Sequence, residues 1–206
     1  EIAETVALAK QILMVEETGV RAHFSQLSSG ASVELIRIAK ARGLPVTADV
    51  AMHQLHLTDA YIDGFNALAH VRPPLRSEDD RAKLRQGVAD GVIDAICSHH
   101  EPLSATSKLA PFPDTEAGIS GFDTLMAQGV KLVNDGVLSP LALAACLVSK
   151  PAAIAGIEAK RQAVGGWVLV DPNQAWTVSN TSMASQGKNT PYQGATLLGR
   201  VQRLLV

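Results

Sequence analysis

Apolar and polar positions in the first 156 residues alternate between two rhythms, one of helical and one of strand period. Val6, Leu8, Ala9, Ile12, Leu13 and Val15 fall at helical spacing between residues 2 and 17, and Gly19 supplies the stop. Residues 20–24 then read as a short strand. Ser28, Ser29 and Gly30 form a turn and cap ahead of a helix over 32–41 that closes on Gly43. The pattern repeats. Residues 45–50 are a strand rich in β-branched side chains, and Thr58-Asp59 caps a weaker helical or irregular stretch holding Tyr61, Ile62 and Phe65. Residues 68–71 read as a third strand, stopped by Pro73-Pro74. Ser77 and Asp80 have capping-box spacing and open a helix through Leu84 and Val88 to Gly91. Residues 92–97 are the fourth strand. A polar loop, 99–120, leads to helices over 122–132, 140–148 and 151–155, the last with Pro151 in a favourable first-turn position.

Strand starts near Val20, Pro45, Leu68 and Val92 lie roughly 24 residues apart, the length of a strand, a helix and two short loops. That makes four consecutive βα units. After Gly156 the texture changes: 165–171 and 196–206 are strands, joined by a Ser/Asn/Gly-rich loop containing Lys188-Asn189-Thr190-Pro191. A boundary near 157–163 separates an α/β part, 1–156, from a small β appendage, 157–206. The α/β part suits a small open sheet or half of an eight-stranded barrel, since a closed barrel takes about 250 residues. Half a barrel alone leaves two unpaired strand edges. The periodicity leaves both architectures open.

The 206 residues are 47% apolar and 18% charged, which supports a sizeable core and argues against disorder. Lys and Arg number 18 against 20 Asp and Glu, a net charge of −2 without a basic run. A nucleic-acid or anionic-membrane surface is disfavoured. No segment reaches the roughly 18 consecutive apolar residues of a membrane span. Cys97 and Cys146 lie far apart and form no disulfide framework, so a reducing cytoplasm is the expected compartment. The chain begins with Glu1 rather than Met, as expected of a processed product or a piece of something longer.

In either architecture reactive groups belong at the C-terminal ends of the strands. Strand one ends in His23-Phe24-Ser25-Gln26, strand two in Met52-His53-Gln54, strand three in Arg72-Pro73-Pro74, and strand four in Ser98-His99-His100-Glu101. His53, His99 and His100 sit at strand tips, where metal ligands gather in barrels, although satisfied polar loop residues fit the same pattern. His99 and His100 are neighbours and cannot both face one ion from a strand. Cys97 at an apolar strand end reads as core, and Asp79-Asp80 as carboxylates offsetting a helix dipole.

Taken in order, the motifs resemble the C-terminal half of a dihydroorotase, of the amidohydrolase superfamily. Ser28–Ile36 is similar to that family's HVST-x-x-SVELI, residues 45–59 to LPVTAEVTPHHLLLTD, and Arg72–Arg76 to NPPLR. Residues 94–102 resemble DAIATDHAP, 116–124 resemble EAPGISGLET, and 188–192 resemble KNTPF. The resemblance implies a (β/α)8 barrel of which this chain supplies strands five to eight, with the appendage belonging to a composite β domain. The family's His-x-His motif and bridging residue lie on earlier strands. Zinc in that family holds a hydroxide that attacks the ring amide of dihydroorotate, while the strand-eight Asp handles the proton.

The departures fall on the residues that matter. The strand-five ligand His aligns with Gln26, a poor zinc ligand. The strand-six His is kept as His53, and the strand-eight Asp aligns with His99. Of the substrate positions, the Asn of NPPLR aligns with Arg72, the last His of DHAPH with Leu103, His100 is kept, and Gly118 falls in the EAPGISG stretch. The resemblance therefore implies a catalytically silent dihydroorotase-like chain with no metal, partnered by the N-terminal half of its barrel and by the aspartate transcarbamoylase catalytic chain. Two other readings stay open. One is an active cyclic amidohydrolase in which His53, His99 and His100 serve a single zinc and Arg72 meets an altered anion. The other is a free-standing α/β domain. By the half-barrel reading, this chain alone carries out no hydrolysis.

Overall fold

In the computed structural model, which describes residues 1–157 and 166–205, helix α1 (Ile2–Thr18) ends where Gly19 turns left-handed at φ 67°. Gly19 donates its N–H to Val15 O at 2.8 Å, a C-terminal cap that only a residue without Cβ adopts cheaply. Leu8, Ile12 and Val15 form the buried stripe of α1. Helix α2 (Gly30–Ala41) begins at Ser29, whose Oγ accepts from Ser32 N–H at 3.2 Å.

Three strands, β1 (Ala22–Phe24), β2 (Val46–Ala51) and β3 (Ala95–Cys97), form a parallel sheet in that order. Ala22 pairs with Val46, and Asp49 with Ala95. The central strand β2 is covered on both faces, with Val46, Ala48, Val50 and Ala51 all buried, as helices on both sides of a parallel sheet require. Ile36 of α2, Leu84 of α3 (Glu78–Ala89) and Ile93 complete the same core. Ser77 caps α3 by accepting from Asp80 N–H at 3.2 Å. Asp80 then reaches 50 residues back to accept Gly30 N–H at 2.9 Å, fastening the start of α3 to the start of α2.

Two expectations are corrected. The third strand foreseen at 68–71 does not form. Residues Ala67–Ala69 make a 3-10 turn in which Asn66 Oδ1 accepts from Leu68 N–H at 3.1 Å, so local side-chain bonding wins over a four-residue β pattern. β3 pairs directly with β2, and the parallel sheet has three strands among the described residues rather than four; one further parallel bridge joins His100 and Ile119. The helices foreseen at 140–148 and 151–155 are one continuous element. It runs as α5 (Pro140–Ala144), a π-turn (Ala145–Ser149) and α6 (Lys150–Ala155). Pro151 lacks an N–H and its ring crowds the carbonyl four residues earlier; a widened turn just before it absorbs both.

Helix α4 (Phe122–Asn134) follows the long loop, and β4 (Trp167–Thr177) and β5 (Thr196–Leu205) form an antiparallel ribbon. β5 lies on α4 so closely that a Cβ on Gly199 would stand 2.7 Å from Val130 Cγ2. The boundary foreseen at 157–163 lies, beyond Ile157, outside the described residues. No helix among the described residues is long and apolar enough to cross a membrane.

Candidate functional site

β2 runs straight into a 3-10 turn (Met52–Leu55) that carries His53 into the interior, where neither ring nitrogen has a hydrogen-bond partner. Burial, with the nearby His99 adding to it, pushes the His53 pKa down to about 3, so the ring is neutral near pH 7. His99 follows β3 with φ 45°, and its ring stacks on His53 at 5.4 Å between centroids. His99 Nε2 lies 3.5 Å from Glu101 Oε1, while its Nδ1 is buried and unpartnered among the described residues.

At the end of β1, Gln26 takes a left-handed conformation (φ 61°) held by its N–H donating to Asp49 Oδ1 at 2.8 Å. The other oxygen of Asp49 meets Ser25 Oγ at 2.8 Å and His23 Nε2 at 2.9 Å. His23 Nδ1 in turn faces Thr47 Oγ1 at 2.8 Å. This carboxylate is occupied by three hydrogen bonds. Cys97 lies beside it; burial first, then the Asp49 charge, pushes the thiol up to about 12, so no nucleophilic thiolate forms there. Asp49 escaped sequence reasoning, although an acid in the middle of an apolar strand was the available signal.

The remaining predicted positions divide. Leu103 and Gly118 are brought together by Asn189 of the Lys188-Asn189-Thr190-Pro191 segment. Asn189 Oδ1 accepts Leu103 N–H at 2.8 Å, and its Nδ2 donates to Glu101 O at 2.9 Å and Gly118 O at 3.1 Å. His100 points elsewhere than His99, as neighbours must: its Nδ1 accepts the N–H groups of Gly121 and Phe122 at 3.2 Å each, and its ring stacks on Phe122 at 4.0 Å. It serves the start of α4. Arg72 is exposed, next to a cis bond to Pro73.

A catalytic zinc takes three protein ligands and keeps one open position. Here His53 and His99 offer two imidazoles, the Asp49 carboxylate is already engaged, and Gln26 stands where a third ligand is wanted. Among the described residues no group of three or more His, Cys, Asp or Glu is placed to hold a metal ion. These residues by themselves do not fit a catalytic zinc.

No family model matches the chain. A dihydroorotase-like protein of Pseudomonas aeruginosa is 51% identical over 209 residues, covering 100% of this chain and 49% of that protein. A dihydroorotase of Syntrophus aciditrophicus is 38% identical over 208 residues, again covering 100% of this chain and 49% of its own length. The chain is homologous to dihydroorotases. It spans about half the length of the curated relatives it matches. Among solved structures, L-hydantoinase (dihydropyrimidinase) from Arthrobacter aurescens superposes with a TM-score of 0.91 at 24% identity, covering 98% of this chain and 47% of that one. The inactive dihydroorotase-like domain of a Chaetomium thermophilum CAD-like multifunctional protein gives a TM-score of 0.72 at 25% identity, covering 96% and 53%. The three parallel strands and their helices are thus part of an amidohydrolase barrel.

Proposed function

We propose that this chain is part of a dihydroorotase-like protein that does not hydrolyse dihydroorotate, and that the protein serves as a structural subunit of aspartate transcarbamoylase in pyrimidine synthesis. The observation that carries the reading is the His53–His99 stack. Hydrolysis of a ring amide needs a carboxylate at the end of β3 to take a proton from the attacking water and return it to the leaving nitrogen. An imidazole occupies that place, packed against a second, neutral imidazole. Gln26 adds neither charge nor a strong metal donor. The caps, the buried β2 and the Asn189 clamp are kept meanwhile, so the fold outlasts the site. The likeness to a domain described as inactive supports the same direction.

The test is turnover of dihydroorotate by the intact protein with zinc supplied, at neutral and alkaline pH, together with co-purification of the aspartate transcarbamoylase catalytic chain. The expected result is no turnover and a stable complex. Zinc-dependent turnover overturns the reading.

One observation favours a second reading. The unpartnered nitrogens of His53 and His99 are donors in search of a partner, which suits a zinc-dependent cyclic amidohydrolase with a rebuilt site. On that reading one zinc binds per intact chain, and His53→Ala removes both metal and activity. His100 is a poor member of such a set, because its Nδ1 is committed to the backbone of α4.

A further inference from the structure

Away from the strand ends, α3, α4 and β5 border a cleft of ≈ 670 Å³, within the range of small-molecule sites. In a chain of net charge −2, its lining carries Arg81, Arg85 and Lys131 against one carboxylate, Asp135. That carboxylate is shared, 3.0 Å from Lys131 Nζ and 3.4 Å from Arg85 Nη1. Arg81 has a partner in Glu78 at 2.6 Å, on the exposed side. Positive charge therefore exceeds negative within the cleft.

The second observation lies behind these cations. His56 is only 7% exposed and lines the cleft, yet its Nε2 has no hydrogen-bond partner. Arg81 Nη1 donates to His56 O at 2.9 Å, and Arg81 Nε is likewise buried and unpartnered. Burial first, then the charges of Arg85 and Lys131, push the His56 pKa down to about 4. The ring is bonded to the backbone of Gln128, which leaves Nε2 as a lone-pair acceptor in the neutral form. An unfilled acceptor thus accompanies an unfilled donor and two underused cations. Buried polar groups are rarely left so. Leu57, Tyr61 and Leu197 supply an apolar wall.

A carboxylate satisfies cations but brings no proton of its own near pH 7. A phosphate monoester near its second ionisation brings both charged oxygens and a P–OH. We infer that this cleft binds a phosphate monoester carried on an apolar group, with Arg85 and Lys131 on the charged oxygens, Arg81 Nε donating to an oxygen and His56 Nε2 accepting from P–OH. The ester's apolar part lies along Leu57, Tyr61 and Leu197.

The test is titration calorimetry on the intact protein with phenyl phosphate as probe, and inorganic phosphate and benzoate as comparators. Saturable binding of phenyl phosphate is expected, tighter than either comparator. Lys131→Gln, at a largely exposed ammonium whose loss leaves the fold intact, weakens it about tenfold, the scale of one charge-assisted hydrogen bond. Lys83→Gln, which breaks a surface pair with Asp79 outside the cleft, leaves binding unchanged. Absence of saturable binding at millimolar probe, or an unchanged Kd in Lys131→Gln, overturns the site. Benzoate binding more tightly than phenyl phosphate overturns the assignment to phosphate.

Discussion

Glu4→Ala removes one side chain and detaches three segments at once. Glu4 sits in the first turn of α1 and accepts Ser28 N–H at 3.0 Å, Ser29 N–H at 3.1 Å and Ser29 Oγ at 3.3 Å, as well as the Ser28 hydroxyl. Arg76 Nη2 lies 3.5 Å away, ahead of α3. The hydroxyls can rotate to new partners, but the two backbone donors cannot, and each left unpaired costs ~1–3 kcal/mol. With Arg76 also losing its counter-charge, the whole change amounts to ~3–5 kcal/mol. At a urea slope of about 2 kcal/mol/M the unfolding midpoint falls by ~2 M. Glu16→Ala is the control: it breaks an ion pair with Arg42 on the exposed side of α1 and costs ~0.5 kcal/mol or less. Equal midpoint shifts in the two variants would refute the reasoning, because burial and backbone donors would then count for nothing. Acid supplies a second readout. Burial raises the Glu4 pKa, but the hydrogen bonds from Ser28, Ser32 and Ser29 together outweigh it and hold the carboxyl below its ordinary 4.5. Its contribution is therefore fully present above pH 4.5 and is lost as pH falls through the lower folded value, so the gap between parent and Glu4→Ala closes in acid.

Three further outcomes follow from the site and its supports. The His53 ring, with its pKa near 3, shows no NMR titration between pH 8 and 5; because the unfolded ring takes up a proton below about 6.5, this group withdraws stability as pH falls from there toward 3, and an observed midpoint near 6.5 contradicts the buried placement. Asn189→Ala costs ~2–3 kcal/mol by orphaning Leu103 N–H and two carbonyls, and hydrogen exchange at Leu103 accelerates while β2 amides stay protected; unchanged exchange at Leu103 counts against the clamp. Gly121→Ala sets a Cβ 2.3 Å from the backbone oxygen of Ser98, a clash no side-chain rotation relieves, so a loss of ~2 kcal/mol or more is expected in thermal melts, and a wild-type melting temperature refutes it.

Features that depend on neighbours in sequence were legible. Gly19, Ser29 and Ser77 occupy the cap positions their types predict, because a cap is settled within one helical turn. Features that depend on distant partners were not. Asp80 reads as a dipole partner of α3, yet its carboxylate also holds Gly30 N–H in another helix. Four apolar-leaning residues at 68–71 carry too little pattern to outweigh the side chain of Asn66. At the site, the resemblance picked out Gln26, His53 and His99, and the structure places His53 and His99 together; Asp49 and His56 carry no motif and emerge only from burial and partners. His100 matches a family position while its observed bonds belong to the start of α4.

The π-turn between α5 and α6 also bears on how this chain can change length. A π-turn holds one residue more than the α-turn it replaces, so the segment Ala145–Ser149 is an insertion stored inside a helix. Deleting any one of those five residues returns the helix to α register, turning everything downstream by about 100° and drawing it back by about 1.5 Å. Ala152 would swing off the interior and Pro151 would meet an unwidened turn. Single-residue losses are therefore barred here, while the same loss in the 99–120 loop costs only local slack. Length variation along this part of the chain belongs in its loops.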